Sequence, residues 1–410
     1  MTENASYDLV IIGGGIHGVG VAQAAAAAGH HVLVLEQGEL ASGTSSRSSK
    51  LIHGGLRYLE HGQFALVREC LHERALLLKN APELVHLQPF LIPVYADSVR
   101  SPWLLRAGLT LYSLLGGAGR DTRFRRVPRH QWTALDGLKT TGLKTVFQYQ
   151  DAQTDDAALT RAVMASAQTL GAQLKTQATV IAASRLGDGQ KDHWQIRYRQ
   201  DEQEHTCTAK VIVNATGPWA NEVLTRIATT AKPVAVELVQ GTHLVLEGKL
   251  EQGIYYLQSP RDQRPVFAIP WQLAGEAAGS AILLGTTETR FTGNPAEVHP
   301  LPAEQEYLLE TYRYYFSATP KIRAAFAGLR VLPMAEDQAE NKNRYAARQR
   351  ETVLQTDCPE LPRLLTIYGG KLTAYRATAE KVMHKLQNSL PDKEPVADTR
   401  TLPLGQSVYM

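Results

Sequence analysis

Cysteine is scarce in this sequence: three occur in 410 residues, and no two of them form a C-x-x-C pair. This scarcity argues against a disulfide framework and against a thiolate metal site, and it favours a reducing compartment. An excess of charge is also missing, because 43 basic residues are balanced by 40 acidic ones and the net charge is +3. A protein that binds nucleic acid is therefore a poor fit, and any phosphate site must come from local placement of basic side chains.

A segment able to cross a bilayer is missing too, since no stretch reaches the ~18 uncharged apolar residues that a spanning helix needs. The N-terminus carries Glu3 and no positive region before its apolar run, which argues against a signal peptide. The closest approach to a span, residues 103–115, contains Arg106 and is followed by an arginine-rich stretch at 120–129. This combination favours either peripheral contact with an anionic membrane or a core-facing helix beside a solvated turn, and the residues alone do not separate the two.

The sequence does have the pattern of a strand, a helix and a second strand in its first 36 residues. A buried strand is predicted at residues 7–12, an alanine-rich helix at 19–28 and a parallel strand at 31–35. Further buried strands are predicted at 209–215 and 364–368. We therefore expect one parallel sheet that is built from separate parts of the chain.

The turn between the first strand and the helix has the spacing of a dinucleotide-binding motif, Gly13-x-Gly15-x-x-Gly18. Gly13 permits a tight turn, Gly15 lets the backbone approach a pyrophosphate, and Gly18 lets the helix pack closely on the strand. The helix N-terminus offers N–H groups and a partial positive charge to the phosphates. Glu36 ends the second strand, where it can accept hydrogen bonds from ribose hydroxyls. Together these features predict dinucleotide binding.

Two later turns indicate which dinucleotide is bound. Residues 214–219 follow a buried strand, and residues 369–373 precede a helix, where the N–H groups of a glycine turn can face the flavin pyrimidine. An NAD enzyme would not need these turns, so the sequence favours FAD. Residues 230–335 alternate apolar segments with Gly, Pro and charged turns, which predicts an antiparallel sheet with helices that acts as a substrate cap.

The predicted fold class is α/β: a Rossmann-like FAD-binding domain with a discontinuous antiparallel-sheet substrate (cap) domain. A prior of about 150 residues per domain gives two or three units, and the patterns favour two. The predicted FAD-binding domain comprises residues 1–95, 145–225 and 340–410. The predicted cap domain comprises residues 96–144 and 226–339.

Beyond these patterns the sequence has a further run at residues 44–60, T-S-S-R-S-S-K-L-I-H-G-G-L-R-Y-L-E. With this run as its most specific match, the chain resembles the FAD-dependent glycerol-3-phosphate dehydrogenases, within the D-amino acid oxidase-like flavoproteins. The other matching runs lie at residues 13–18, 149–157, 214–219, 240–243, 285–288 and 369–376. The resemblance covers nearly the whole chain, but family members usually continue into a C-terminal helical domain, and this chain stops soon after Lys371. The resemblance therefore implies nothing about functions that such a domain provides.

The resemblance implies that FAD is held by the matching runs and their neighbours. Covalent attachment would need a His or Cys near the isoalloxazine, and no cysteine lies in a matching run, so we expect non-covalent FAD. The implied FAD-contacting residues are Gly13, Gly15, Ile16, His17, Gly18, Glu36, Gln37, Thr44, Ser45, Ser46, Ser49, Lys50, Leu51, His53, Gly54, Gly55, Val180, Ala215, Thr216, Gly217, Trp219, Gly369, Gly370, Lys371, Leu372 and Thr373.

The resemblance also implies that sn-glycerol 3-phosphate is the substrate and dihydroxyacetone phosphate the product. Oxidation of a secondary alcohol on a flavin moves hydride to N5 while a base takes the hydroxyl proton, and the phosphate dianion must be held. Guanidinium groups suit that second task because they donate two parallel hydrogen bonds to phosphate oxygens. The matching polar residues of the substrate site are Arg57, Tyr58, Arg330, Arg350 and Lys371.

Two of these arginines match the family pattern less closely than Arg57 and Lys371 do. Val331 follows Arg330, where the family usually has a proline. Residues 335–348 carry an apparent insertion before Arg350, and they leave Arg344 and Arg348 as alternatives to it.

The catalytic base is open at this stage. His243 and His53 have matching contexts, and a histidine pKa near ~6.5 suits proton abstraction at neutral pH. Lys371 or Arg330 can instead hold the alkoxide electrostatically while water carries the proton away. All four side chains are therefore candidate catalytic residues.

A quinone is the implied electron acceptor, and membrane contact through residues 102–129 would be peripheral. This predicts a cytoplasmic protein, at the cytoplasmic face of the inner membrane if a quinone accepts the electrons. Three alternatives stay open: a glycerophosphate oxidase that uses O2, an FAD oxidoreductase of a 2-hydroxy acid or an amine, and a truncated FAD-binding paralogue without catalysis.

Overall fold

A computed structural model of the protein describes residues 5–187, 192–273, 275–276, 279–318, 320–334 and 352–405. Its strands, in chain order, are β1 Ser6–Ile12, β2 Val32–Leu35, β3 Leu51–Ile52, β4 Val85–Tyr95, β5 Phe124–Arg126, β6 Leu143–Thr154, β7 Gln173–Lys175, β8 Ala178–Leu186, β9 His193–Gln200, β10 Gln203–Asn214, β11 Val236–Glu247, β12 Ile254–Gln258, β13 Pro265–Trp271, β14 Ala281–Gly285, β15 Thr289–Phe291, β16 Ile322–Pro333, β17 Val353–Thr356 and β18 Leu364–Tyr368. Its helices are α1 Ile16–Ala27, α2 Phe64–Asn80, α3 Pro102–Leu115, α4 Asp156–Thr169, α5 Ala220–Leu224, α6 Pro302–Tyr315 and α7 Tyr375–Leu386.

The first sheet has the strand order β17-β18-β10-β1-β2-β7. Strands β18, β10, β1, β2 and β7 run parallel, and β9 extends the sheet antiparallel to β10. The central strands are continuous apolar runs because both faces are covered. On one face Leu9 and Ile11 pack in a cluster with Val19 of α1, Leu159 of α4 and Val382 of α7. The predicted parallel sheet from separate parts of the chain is confirmed.

The second sheet has the order β15-β11-β14-β13-β12-β4-β6-β3, with β16 beside β11 and β5 beside β6. Its strands pair antiparallel except for β12 with β4. It confirms the predicted antiparallel sheet, and β11 is a long strand of 12 residues in it. Strand β4 lies in this sheet. The predicted boundaries place its residues, 85–95, in the FAD-binding domain, and these boundaries stay a prediction.

Buried Glu304 on α6 holds this helix against β11. Its carboxylate accepts hydrogen bonds of 2.6 Å from Gln240 Nε2 and from Thr242 Oγ1, and it also accepts from two threonines that follow β14. Burial opposes the charge on this carboxylate, but the hydrogen bonds outweigh burial and lower the pKa of Glu304. The contact fixes the strand on which His243 lies.

Helix α3 lies at the surface and is apolar on both of its sides. It packs inward through Leu105, Leu109 and Tyr112. Its exposed apolar side chains are Trp103, Leu104 and Leu114, of which Trp103 is 76% exposed. The predicted helix at 103–115 is confirmed, and it has both a core-facing side and a solvent-facing apolar side. No helix within the described residues has the length and apolar character to span a bilayer.

Candidate active site

A cavity of about 610 Å³ lies between the two sheets. The carboxyl-terminal ends of β1, β2 and β10 and the turn after β18 line one side of it. Residues of β11, β13 and β16 line the other side. Parallel strands bring their carboxyl ends to one edge of a sheet, so turns that are distant along the chain meet here. The volume is in the usual range for a small-molecule site.

The glycine turn after β1 has the geometry that its spacing predicts. Gly13 has φ +110°, and a Cβ on it would lie 2.7 Å from the carbonyl oxygen of Ala215. A Cβ on Gly18 would lie 1.9 Å from the carbonyl oxygen of Gly13, so only glycine lets α1 pack on this turn. Gly15 is the N-cap of α1 and lines the cavity with Ile16, which places the positive end of the helix at the cavity wall.

Glu36 lies at the end of β2 and holds the glycine turn as well as lining the cavity. Its Oε2 accepts a hydrogen bond of 2.6 Å from Gly14 N, and its Oε1 accepts one of 2.8 Å from Gly38 N. A carboxylate has about four acceptor positions, so Glu36 can keep both bonds and still accept from the predicted ribose hydroxyls.

The side chain of His17 connects the glycine turn to the turn after β18. Burial lowers the pKa of His17 to about 4, so the ring is neutral at pH 7. Its Nδ1 is buried and has no hydrogen-bond partner among the described residues. Gly370, with φ +115°, packs directly on this ring, and a Cβ there would overlap it. The double glycine at 369–370 therefore lets the two turns close together.

The loop that starts the 44–60 run is anchored at both ends. Ser45 Oγ accepts a hydrogen bond of 2.9 Å from Ile16 N at the start of α1. Lys50, buried and with φ +59°, forms an ion pair with buried Asp156 and donates to the Ser46 carbonyl at 2.6 Å. Burial raises the pKa of Asp156, although the charge of Lys50 opposes that rise. The pair holds the loop against α4.

His243, a predicted base, lines the cavity from β11 but is buried and uncharged. Burial, with smaller contributions from the charges of Arg330 and Lys50, lowers its pKa to about 3. Its Nε2 lies 3.0 Å from Ser49 Oγ, and its ring stacks on Phe326 with the ring centroids 5.1 Å apart. A ring with this pKa binds a proton weakly at pH 7, which disfavours general-base chemistry there.

The loop that bears His53 is tied to two neighbouring elements. His53 N donates a hydrogen bond of 3.1 Å to Thr373 Oγ1 in the turn after β18. Gly54 N donates one of 2.8 Å to the Tyr112 hydroxyl of α3, which itself donates to Asp151 at 2.5 Å. These buried bonds fix the main chain immediately before Arg57 and Tyr58.

Arg330 is oriented by an acidic side chain. Its Nη1 donates a hydrogen bond of 2.9 Å to Glu288 Oε1, and its Nη2 donates one of 3.1 Å to the Thr287 carbonyl. Arg264 reaches the same acid, since its Nη1 donates to the Glu288 carbonyl at 3.1 Å and lies 3.7 Å from Oε2. Two guanidinium groups therefore share one carboxylate, and Arg264 Nε also lies 3.4 Å from Asp262 Oδ2.

Arg57 and Lys371 are cations of the cavity wall that lack an ion pair with any described residue. Arg57 and Tyr58 lie on the 3₁₀ helix Leu56–His61. Lys371 Nζ is buried, has no hydrogen-bond partner among the described residues, and lies 3.6 Å from the centroid of the Tyr58 ring. The cavity thus holds positive charge that the described part of the protein does not neutralise.

The structure brings most of the predicted site residues together at this cavity. Those that line it are Gly13, Gly15, Ile16, His17, Glu36, Gln37, Thr44, Ser45, Ser49, Leu51, His53, Gly55, Arg57, Tyr58, Val180, Ala215, Thr216, Gly217, Trp219, His243, Arg330, Gly369, Gly370, Lys371, Leu372 and Thr373. Gly18, Ser46, Lys50 and Gly54 support this lining from behind. Arg350 and its alternatives Arg344 and Arg348 lie outside the described residues. The role of each residue stays a prediction.

Sequence reasoning did not single out Arg264, Glu288 or Asp156, and all three line the cavity. Glu288 and Asp156 lie within runs that match the family, and Glu288 is an acid between two threonines, which could have marked it. Arg264 lies just before β13 and outside every matching run, so its sequence has no comparable signal.

The residues at the cavity fit FAD. The backbone cradle at Gly13, which a Cβ would fill, and the positive end of α1 suit a pyrophosphate, and Glu36 suits the ribose beside it. Next to the turn after β18, the buried ammonium of Lys371 suits a group that carries negative charge.

Comparison with known proteins agrees with this geometry. The family model described as FAD dependent oxidoreductase matches residues 8–376. The chain is 35% identical to the glycerol-3-phosphate dehydrogenase of Pseudomonas aeruginosa, over 98% of this chain and 76% of that protein. It is also 35% identical to the D-erythritol 1-phosphate dehydrogenase of Brucella abortus, over 95% of this chain and 76% of that protein.

A solved structure gives the same result. The glycerol-3-phosphate dehydrogenase of Bacillus halodurans, complexed with FAD, superposes with a TM-score of 0.71 and 25% identity, over 98% of this chain and 68% of that chain. The chain therefore belongs to the FAD-dependent glycerol-3-phosphate dehydrogenase family of FAD-dependent oxidoreductases, and FAD is its cofactor.

Proposed function

We propose that this oxidoreductase converts sn-glycerol 3-phosphate to dihydroxyacetone phosphate. The observation that carries the proposal is the pair of cations at the cavity wall, Arg57 and Lys371, which have no ion pair with a described residue. Such cations fit a substrate that brings a phosphate dianion with it. The relative from Pseudomonas aeruginosa is named for oxidation of this same substrate.

FAD, when bound, supplies the acceptor for the hydride that leaves the alcohol carbon. Arg57 holds the phosphate through two parallel N–H donors, because its guanidinium fork matches two phosphate oxygens. Arg330 supplies a second fork that Glu288 keeps in a fixed orientation. These contacts position the alcohol carbon at the cofactor. Because the two reactants are then held together, the reaction takes place within one complex and not by a bimolecular encounter.

Proton removal from the substrate hydroxyl is the second task of the site. We assign Lys371 the stabilisation of the developing alkoxide, because its ammonium is buried and keeps its N–H donors. His243 is assigned a hydrogen-bonding role beside Ser49, since its pKa of about 3 makes it a poor base. The proton then passes to His53 or to water.

A quinone is the proposed electron acceptor, with O2 as the competing one. The two are separated by measuring turnover of glycerol 3-phosphate without oxygen in the presence of a soluble quinone analogue, and with oxygen by the peroxide released. Quinone reduction at a rate well above peroxide release supports the dehydrogenase. Turnover that requires oxygen would instead identify an oxidase.

We predict that sn-glycerol 3-phosphate, added without oxygen to the FAD-loaded protein, bleaches the visible flavin absorption. The physical reason is that hydride transfer reduces the flavin, and no acceptor is present to reoxidise it. Absorption near the flavin maximum, followed after rapid mixing, measures the rate directly. Glycerol at the same concentration should bleach at least 100-fold more slowly, because it brings no phosphate to Arg57 and Arg330.

Two other alcohols make this experiment decisive. D-Erythritol 1-phosphate carries the phosphate on a longer chain and tests the activity for which the Brucella abortus relative is named; faster bleaching by it would move the substrate assignment to a tetritol phosphate. Lactate tests the 2-hydroxy acid alternative. If none of these compounds bleaches a protein with confirmed FAD, catalysis of alcohol oxidation is rejected.

Peripheral contact with an anionic membrane is the second part of the proposal. The exposed apolar side of α3 carries Trp103, and Arg106 lies over the ring of that tryptophan. The neighbouring strand β5 and the residues on either side of it add exposed arginines: Arg123, Arg125, Arg126 and Arg129. Apolar side chains flanked by basic ones match the chemistry of an acidic lipid surface, where a quinone also dissolves.

We predict that the protein floats with liposomes of phosphatidylcholine and phosphatidylglycerol but not with phosphatidylcholine alone. A Trp103→Ser/Leu104→Ser variant should lose at least 90% of this flotation, because it removes apolar area and leaves the charge unchanged. Val396→Ser is the control, since Val396 is an apolar side chain that is 64% exposed and lies outside α3. Equal flotation of the double variant and the wild type would rule out α3 as the contact.

A further inference from the structure

We propose that the aromatic ring of Tyr58 is the positioning element for the Lys371 ammonium, so that the ring face, and not the hydroxyl, is what the site requires of this residue. This inference rests on the proposed function for its kinetic consequence and on geometry for the contact itself. It differs from the expectation that Tyr58 serves the substrate as a hydrogen-bond donor.

The contact is unusually close for a cation and an aromatic ring. Lys371 Nζ lies 3.6 Å from the centroid of the Tyr58 ring, well inside the ~6 Å range of cation–π attraction. The ammonium is buried and has no hydrogen-bond partner among the described residues. A buried ammonium is costly unless something replaces its water, and the negative face of the ring does so in part.

The Tyr58 ring also packs against the main chain. Gly55 has φ +79°, and a Cβ on it would overlap two carbons of the Tyr58 ring. Tyr58 N also donates a hydrogen bond of 2.9 Å to the Gly55 carbonyl, which closes the first turn of the 3₁₀ helix. The backbone of Gly55 therefore limits how far the ring can move from its position beside the ammonium.

A carboxylate beside a lysine would neutralise the lysine charge, whereas an aromatic ring would not. Glu288 orients Arg330 by an ion pair and so cancels part of its charge. The ring attracts Lys371 through its quadrupole, takes no proton and carries no net charge. Lys371 is thus held in place while its positive charge and its N–H donors stay available to an anionic ligand in the cavity.

The test compares Tyr58→Phe, which keeps the ring, with Tyr58→Leu and Tyr58→Met, which remove it. The FAD-loaded proteins are pulse-labelled with acetic anhydride, and acetylation of Lys371 is measured by mass spectrometry against exposed Lys144 as an internal reference. We expect Tyr58→Phe to label within twofold of the wild type. The Leu and Met variants should label at least tenfold faster, because no ring then shields the ammonium from solvent or holds it in place.

A kinetic readout links the contact to the site. KM for sn-glycerol 3-phosphate should rise about 30-fold in Tyr58→Leu. In Tyr58→Phe it should rise by no more than about threefold. Equal labelling of Tyr58→Phe and Tyr58→Leu, whether fast or slow, would overturn the proposal. If the wild type is not reduced by glycerol phosphate at all, the proposed function fails, and the labelling rates still decide whether the ring holds Lys371.

Discussion

An Arg57→Ala variant is expected to raise KM for sn-glycerol 3-phosphate about 100-fold while the FAD content stays the same. Two charge-assisted hydrogen bonds to phosphate are lost, and at roughly 1.5 kcal/mol each they amount to about 3 kcal/mol, or about two factors of ten. Arg57 should matter more than Arg330, because Glu288 already neutralises part of the Arg330 charge. Steady-state turnover with a quinone analogue, at substrate concentrations up to 100 times the wild-type KM, measures the change.

Two further variants separate the guanidinium fork from simple charge. Arg57→Lys keeps the charge and loses the fork, so its KM should lie between those of the wild type and Arg57→Ala. Arg68→Ala removes one positive charge from the exposed side of α2, and its KM should stay within twofold of the wild type. A KM for Arg57→Ala that matches Arg68→Ala would mean that Arg57 does not bind the phosphate.

A Gly18→Ala variant is expected to lose FAD. The added Cβ would lie 1.9 Å from the Gly13 carbonyl oxygen, so α1 must move away from the glycine turn or the turn must open. Either movement disturbs the cradle for the pyrophosphate. The flavin-to-protein ratio after purification should fall at least tenfold, and far-ultraviolet circular dichroism shows how much of the fold remains.

Gly108→Ala is the matched control for this substitution. Gly108 lies within α3, and a Cβ there meets no atom within 4 Å. The same chemical change should therefore keep FAD at the wild-type ratio and stabilise the helix by up to about 1 kcal/mol. Full FAD content in Gly18→Ala would show that the turn tolerates a side chain and that its glycine is not required.

The turns and the strands that lead into them could be predicted from sequence because their signals are local. Gly13, Gly15 and Gly18 are needed where a strand meets a helix, and that arrangement is visible in fewer than 30 residues of sequence. The 44–60 run also pointed to Arg57 and Tyr58, which line the cavity. Local apolar patterns did not show that β4 pairs in the second sheet, since pairing depends on partners distant along the chain.

The electrostatics of individual side chains could not be predicted in the same way. His243 looked like a base with an ordinary pKa, but Phe326 of β16 and Gly285 of β14 pack against its ring from both neighbouring strands and exclude water. Arg264 and Glu288 meet only because the folded sheet brings them together. The contact of Lys371 with Tyr58 likewise joins residues from the two ends of the chain.

The order of strands in the first sheet has a consequence for how the protein matures. Ile12 pairs with Asn214, and Asn214 pairs with Thr366, so the edge that receives the cofactor is assembled from three stretches of chain made at very different times. Contacts of such high sequence separation form slowly. During synthesis the glycine turn leaves the ribosome early, but its wall is incomplete until the segment around Thr373 follows. We therefore expect flavin to load only after residues 364–373 have been made, and until then the edge of β10 that pairs with β18 stays unpaired.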